Sequence, residues 1–240
     1  MIDSFAKHVS LITAVVAVVL LTACAEEVIS EPVSDAVADN IIVADFRISR
    51  DDVSIASPEV AQRVIESVFG TPVPDDVWLA GHSRGAFTSA DEVQSLYLLA
   101  RGAQIHNQQS QSKLSLLAVF VDEQVTAQFV PPDHAYNTIQ ATVDVNDDGI
   151  DDVLLTSSAY QMGQSVIMAE LLSLAGGPRQ QLHSLGKVYQ DSCDAPFSKE
   201  GVVAAVIEKS PDGQLIRSDF VADCPEGDRE PVIDDFVPVT

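Results

Sequence analysis

Between residues 144 and 152 the chain reads Asp144-Val145-Asn146-Asp147-Asp148-Gly149-Ile150-Asp151-Asp152. Side-chain oxygens stand at the first, third, fifth and ninth positions, with glycine at the sixth. That spacing suits a hard cation. Calcium takes six to eight oxygen ligands at ~2.3–2.6 Å, and a tightly curled loop can turn alternate side chains toward one point. Gly149 accepts the turn dihedral such a loop needs, and the Ile150 carbonyl can supply a further ligand. Asp147 falls on the outward side of the same curl. The alternative reading is an acidic hairpin turn that holds no metal.

Thr138–Val143 before the loop and Val153-Leu154-Leu155 after it are strand-like, so the loop joins two strands. An EF-hand would need flanking helices and a glutamate at the twelfth position, where Leu155 stands. The nine-residue loop followed by an aliphatic triplet instead resembles the calcium loop of FG-GAP/VCBS-type repeats, known from β-propellers such as those of integrin α chains. The resemblance implies Asp144, Asn146, Asp148 and Asp152 as side-chain ligands, Ile150 as a backbone ligand, and Ca2+ as the cofactor. It covers only the loop and its flanks, and it occurs once. A propeller needs several blades, so neither the whole propeller nor its adhesive role follows.

A second constellation is Gly81-His82-Ser83-Arg84-Gly85, preceded by the strand-like Val77-Trp78-Leu79-Ala80. It resembles the nucleophile elbow of α/β-hydrolases, in which a serine is activated by a histidine held by a carboxylate. The alternative function it implies is a serine esterase using Ser83, with His106, His134 or His183 as candidate base. Against this, the later chain reads as hairpins where strands alternating with amphipathic helices would be required. A polar turn between Trp78 and Phe87 is the preferred reading, and no catalytic residue is assigned.

The three cysteines separate by context. The apolar run Val9–Leu21 ends in Leu21-Thr22-Ala23-Cys24. It has the length of a signal-peptide core and falls short of the roughly 20 residues that span a bilayer. Small residues before a cysteine resemble the lipobox of bacterial lipoproteins, which implies cleavage before Cys24 and acylation of its thiol. Such a chain is anchored to a membrane without crossing it. Ala25 follows where the inner-membrane retention rule would place aspartate, so the resemblance implies the outer membrane, facing the periplasm or the cell surface. Cys193 and Cys224 are then expected to pair in an oxidising compartment. Closing that loop would stabilise by roughly 3–4 kcal/mol in the chain-entropy model. A two-thiolate metal site would want Cys-x-x-Cys spacing and nearby histidines, which these cysteines lack.

Net charge is −23, a field that repels phosphate backbones and excludes nucleic-acid partners. It also repels anionic headgroups, so the acyl chains on Cys24 must carry any membrane contact. An envelope protein or a glycan is a further ligand compatible with that address. Hydrophobic residues make up 46% of the chain, enough for a real core and incompatible with global disorder.

Several elements must position these groups. Residues 1–23 read as leader, 24–40 as an acidic flexible tether, 41–225 as a single β-rich domain and 226–240 as an irregular tail. Ser57-Pro58 starts a helix, with serine as cap and proline at the first position. Val60, Val64, Ile65 and Val68 give it one apolar face, and Gly70-Thr71-Pro72 ends it. Beyond it the chain reads as short strands, with Arg101–Ser112 a polar interruption and Ser165–Leu174 undecided between strand and helix. Ser210-Pro211-Asp212-Gly213 marks a hairpin. Gln94-Ser95-Leu96-Tyr97 faintly echoes Gln164-Ser165-Val166-Ile167. The fold expected is mainly β (α+β), with antiparallel hairpins, one N-terminal helix and a calcium-loop hairpin.

Overall fold

The computed structural model describes residues 39–48, 56–105, 109–130, 136–176, 180–196, 200–225 and 231–239. The leader, the lipobox with Cys24 and nearly all of the tether lie outside the described residues, as do His106 and His134. In chain order come β1 (Ile41–Asp45), α1 (Pro58–Phe69), β2 (Val77–Gly85), β3 (Gln94–Ile105), β4 (Gln109–Val121) and β5 (Gln124–Phe129). Next are β6 (Thr138–Val143), β7 (Asp152–Gln161), β8 (Gln164–Ser173), β9 (Gln180–Asp191), β10 (Val202–Lys209) and β11 (Leu215–Ala222). A 3-10 turn (Ile233–Asp235) and β12 (Val237–Pro238) close the chain. The protein is mainly β and antiparallel, with one α-helix among the described residues.

The helix begins where its cap dictates. Ser57 Oγ accepts the Val60 N–H at 3.4 Å, Pro58 occupies the first turn, and Gly70 ends the helix with φ +79°. Val64 and Ile65 are buried against Leu99, Leu116, Ala118 and Phe120 on one face of a four-stranded meander, β2-β3-β4-β5. The other face of that meander contributes Leu96, Leu98, Leu117 and Val119 to a second core, joined by Phe87 from the β2–β3 loop. Burial on both sides explains why Leu116–Phe120 is continuously apolar, where a half-exposed strand would alternate.

The larger sheet runs β12-β11-β10-β9-β8-β7-β6. β10 divides its length between two partners on one side. Val202–Ala204 pair with β9, and Val206–Lys209 pair with β1. β7 enters this sheet buried on both faces: Leu154 joins the core around Ala204, Ala205 and Ile207, while Val153 and Leu155 join the core shared with the smaller sheet. That second core holds the two sheets together by burying apolar surface from both, the dominant favourable contribution to such packing.

Several expectations change. Within the polar stretch 101–112, residues 101–105 and 109–112 are strand, β3 and β4 pairing with Gly102 opposite Ser112 and Ile105 opposite Gln109, while 106–108 lie outside the described residues. Ser165–Leu174 resolves as strand through Ser173. The tail is not irregular throughout: β12 pairs with β11, Val221 opposite Val237, and Phe236 is buried in the main core.

Candidate functional site

The loop between β6 and β7 is built by its own short polar side chains. Asp144 Oδ1 and Oδ2 accept the N–H groups of Asp148 (3.2 Å) and Gly149 (2.8 Å). Asn146 Oδ1 accepts Asp148 N–H at 3.3 Å, and Asp148 Oδ1 accepts Ile150 N–H at 2.9 Å. Asn146 Nδ2 donates to Asp148 Oδ2 at 3.0 Å. Gly149 has φ +82°, a conformation that a Cβ would strain. Short Asp and Asn side chains curl a backbone in this way because they reach N–H groups two to five residues on.

Asp152 closes the loop as the first residue of β7 and is only 1% exposed. Its Oδ2 accepts the Val145 N–H at 3.1 Å, while its Oδ1 has no hydrogen-bond partner among the described residues. Burial pushes the carboxyl pKa up. The Val145 N–H and the nearby Ser173 hydroxyl pull it down, and the charges of Asp148 and Asp144 push it up again. A buried carboxylate oxygen without a hydrogen-bond partner of its own loses hydration, a cost that a cation could offset. Among the described residues no three acidic, histidine or cysteine side chains stand in a metal-holding group. Asp144 and Asp148 face the loop's own amides, and Ile150 lies at the position whose carbonyl would be a ligand. A carboxylate offers about four lone-pair sites, so an oxygen that accepts one N–H can still meet a cation. The donor set, three carboxylates and an amide, suits calcium chemistry.

Two groups far away in sequence grip the loop, and sequence reasoning missed both. Lys209, at the end of β10, reaches the Asp144 carbonyl at 2.6 Å and Asp147 Oδ1 at 2.5 Å. Asp147 points outward as expected, with its side chain 68% exposed, but one of its oxygens is bound to Lys209. On the opposite flank Asp151 N–H donates to the Ala86 carbonyl at 2.6 Å, and Ala86 N–H donates back to Asp151 Oδ2 at 2.8 Å.

Ala86 belongs to a counterpart of this loop. β2 and β3 close on the pair Gly85–Gln94, and β6 and β7 close on Val143–Asp152, so both loops have the same length. Phe87 N–H donates to Gln94 Oε1 at 3.0 Å, as Val145 N–H donates to Asp152. Phe87 and Val145 are both buried. Gln94, 2% exposed, also accepts Thr88 N–H and donates to Thr88 Oγ1 and Glu92 Oε2. The match of loop length and of buried polar residues at Gln94 and Asp152 is present in the sequence. The echo read there pairs Gln94 with Gln164, which opens β8, a strand that is not equivalent to β3.

Gly81–Gly85 is strand and not the polar turn expected between Trp78 and Phe87: Ser83 lies inside β2, opposite Leu96 on β3, with no strand-to-helix turn after it. Its Oγ is 3.3 Å from Thr142 Oγ1. His82 stacks on Tyr97 at 4.8 Å, and its pKa is lowered by burial and by Arg84. His183 lies on β9 and is exposed. The two glycines of the motif serve close approach: a Cβ at Gly81 would lie 3.1 Å from the Ile139 backbone nitrogen, and one at Gly85 would overlap Asp151 Oδ2.

Cys193 and Cys224 form a disulfide-capable pair with Cα atoms 5.4 Å apart, joining the end of β9 to the end of β11. No helix among the described residues is long and apolar enough to cross a membrane. No protein-family model, curated protein or solved structure matches the chain.

Proposed function

We propose that the chain is a lipid-anchored cell-envelope protein of binding or structural type, held through acyl chains on Cys24, whose β6–β7 loop takes one structural calcium ion. The observation that carries the calcium reading is Asp152 Oδ1, buried and without a hydrogen-bond partner among the described residues, at the last ligand position of the loop. Asp144, Asn146, Asp148 and Asp152 would hold the ion with the Ile150 carbonyl. Its positive charge would neutralise three crowded carboxylates and fix the register of the two strands. With ligands drawn from one short loop, affinity belongs with extracellular modules, on the order of 10⁻⁴–10⁻³ M. A role as outer-membrane lipoprotein rests on Leu21–Cys24 and Ala25, and an envelope protein or glycan is a ligand compatible with that address.

Calcium titration by calorimetry and by thermal shift tests the site. At a hundred times the dissociation constant the ion stabilises by ~2.7 kcal/mol. Asp148→Ala and Asp152→Asn are expected to abolish the shift. Asp147→Ala keeps it, while starting from a lower melting temperature because Lys209 loses a partner. Loss in all three alike, or no effect on the wild type, leaves only an acidic turn. Labelling with a fatty-acid analogue tests the anchor, and Cys24→Ser is expected to abolish the label and release the protein to the soluble fraction.

A further inference from the structure

The two equivalent loops differ in how they are completed. In the β2–β3 loop the Gln94 amide satisfies Phe87 and Thr88 and is itself satisfied by Thr88 and Glu92. That loop is finished without a cation. In the β6–β7 loop Asp152 Oδ2 meets the Val145 N–H and the Ser173 hydroxyl lies near the carboxyl, while Oδ1 has no hydrogen-bond partner among the described residues, at the end of a strongly acidic segment. The loops touch directly. Asp151 and Ala86 exchange both backbone and side-chain hydrogen bonds, and a Cβ on Gly149 would lie 3.0 Å from Ala90 Cβ.

Asp151 sits between Ile150 and Asp152, two of the ligand positions. Whatever fixes those neighbours fixes the carboxylate and the N–H that hold Ala86. Gly85 leaves the space into which the Asp151 carboxylate reaches, so the clasp depends on both sheets. A completed loop on the small sheet is thus met by a conditional loop on the large one.

We propose that cation occupancy of the β6–β7 loop governs this clasp, tightening the four-stranded sheet onto the larger sheet when calcium is bound and loosening it when calcium is removed. The inference rests on the calcium reading above and adds its regulatory consequence. The ion contributes to the clasp only through the loop's own backbone. Coupling of this kind requires that the ion favour the docked state over the undocked one, and its size is that difference.

Amide hydrogen exchange on the full chain, with excess calcium and then with chelator, reads the clasp at the Ala86 N–H. Calorimetry on the same samples reads binding. The wild type is expected to bind calcium and to exchange Ala86 at least tenfold faster in chelator, with Phe87 and Thr88 changing less because Gln94 holds them. Asp151→Ala is expected to bind calcium within a few fold of wild type yet exchange Ala86 rapidly in both conditions. Binding without a change at Ala86 in the wild type overturns the clasp and leaves the calcium site standing. Absence of binding overturns the site and the clasp with it. Should Asp151→Ala fail to fold, the wild-type comparison alone decides.

Discussion

Gln94 and Asp152 show how one residue type sets what a loop requires. An amide carries both donors and acceptors and closes its network locally, whereas a carboxylate offers only acceptors and leaves one of them bare. Gln94→Ala would strand the buried Phe87 N–H and its Thr88 neighbour, at about 1–3 kcal/mol for each buried donor left unsatisfied. The melting temperature is expected to fall equally with calcium and with chelator, as measured by parallel thermal melts. His82 responds to protons. Its folded pKa lies below the ordinary value because burial and Arg84 disfavour the imidazolium. The unfolded chain therefore binds the proton more readily, and stability is lost as pH falls through the ordinary histidine range toward the lowered folded value. His82→Phe keeps a ring against Tyr97 and is expected to flatten that part of the stability profile, read by denaturant unfolding between pH 7 and 5.

At the scale of elements, the seam between β2 and β6 explains the Gly-His-Ser-Arg-Gly sequence better than an enzyme motif does. Both glycines are four residues apart on one strand, so they face the same side and admit Ile139 and Asp151. Gly85→Ala is expected to destabilise most, by driving a methyl group into the Asp151 carboxylate. Gly81→Ala should cost about 1–3 kcal/mol, the usual range for overpacking. Ser83→Ala removes one hydroxyl contact with Thr142 and is expected to cost about 1 kcal/mol or less. Chemical denaturation of the three variants gives the order. A fluorophosphonate probe is expected to leave Ser83 unlabelled, and labelling that vanishes in Ser83→Ala would restore the esterase reading.

Over the whole molecule, distant segments converge on the β6–β7 loop. Ala86 reaches it from the small sheet and Lys209 from β10, so the loop lies where the smaller sheet and the C-terminal strands both meet β6 and β7. The Cys193–Cys224 pair closes a separation of 31 residues around β10 and β11. Reduction, or Cys224→Ser, is expected to lower stability by roughly 3–4 kcal/mol in the chain-entropy model. Denaturant midpoints measured with and without reductant check it. The β7–β8 hairpin tip rests on the same region, since a Cβ on Gly163 would overlap the Asp194 carbonyl. Loosening of that tip should accompany reduction.

What the sequence alone determined is what short windows decide. Ser57-Pro58 set the helix start, Thr138–Val143 emerged as β6 with both ends as read, and the acidic loop was legible because its polar side chains bond to amides two to five residues away. The mainly β class followed from strand-like runs and turn signals of the same local kind. The closeness of Cys193 and Cys224 was expected for a different reason, since an exported chain with two remaining thiols would have one simple pairing to make. Tertiary structure decided everything that depended on a partner chosen across the fold. The polar residues 102–105 and 109–112 became strand because β3 and β4 pair with each other there, supplying backbone hydrogen bonds that their side chains do not advertise. Phe236 joined the core because β11 offered an edge for β12. Gly81 and Gly85 acquired their roles only when β6 and Asp151 came against β2, and Lys209 found Asp144 only when β10 lay beside the loop. Hydrogen bonds and close approaches between residues far apart in the chain leave no periodicity in either partner, so their positions become visible only once both are in place.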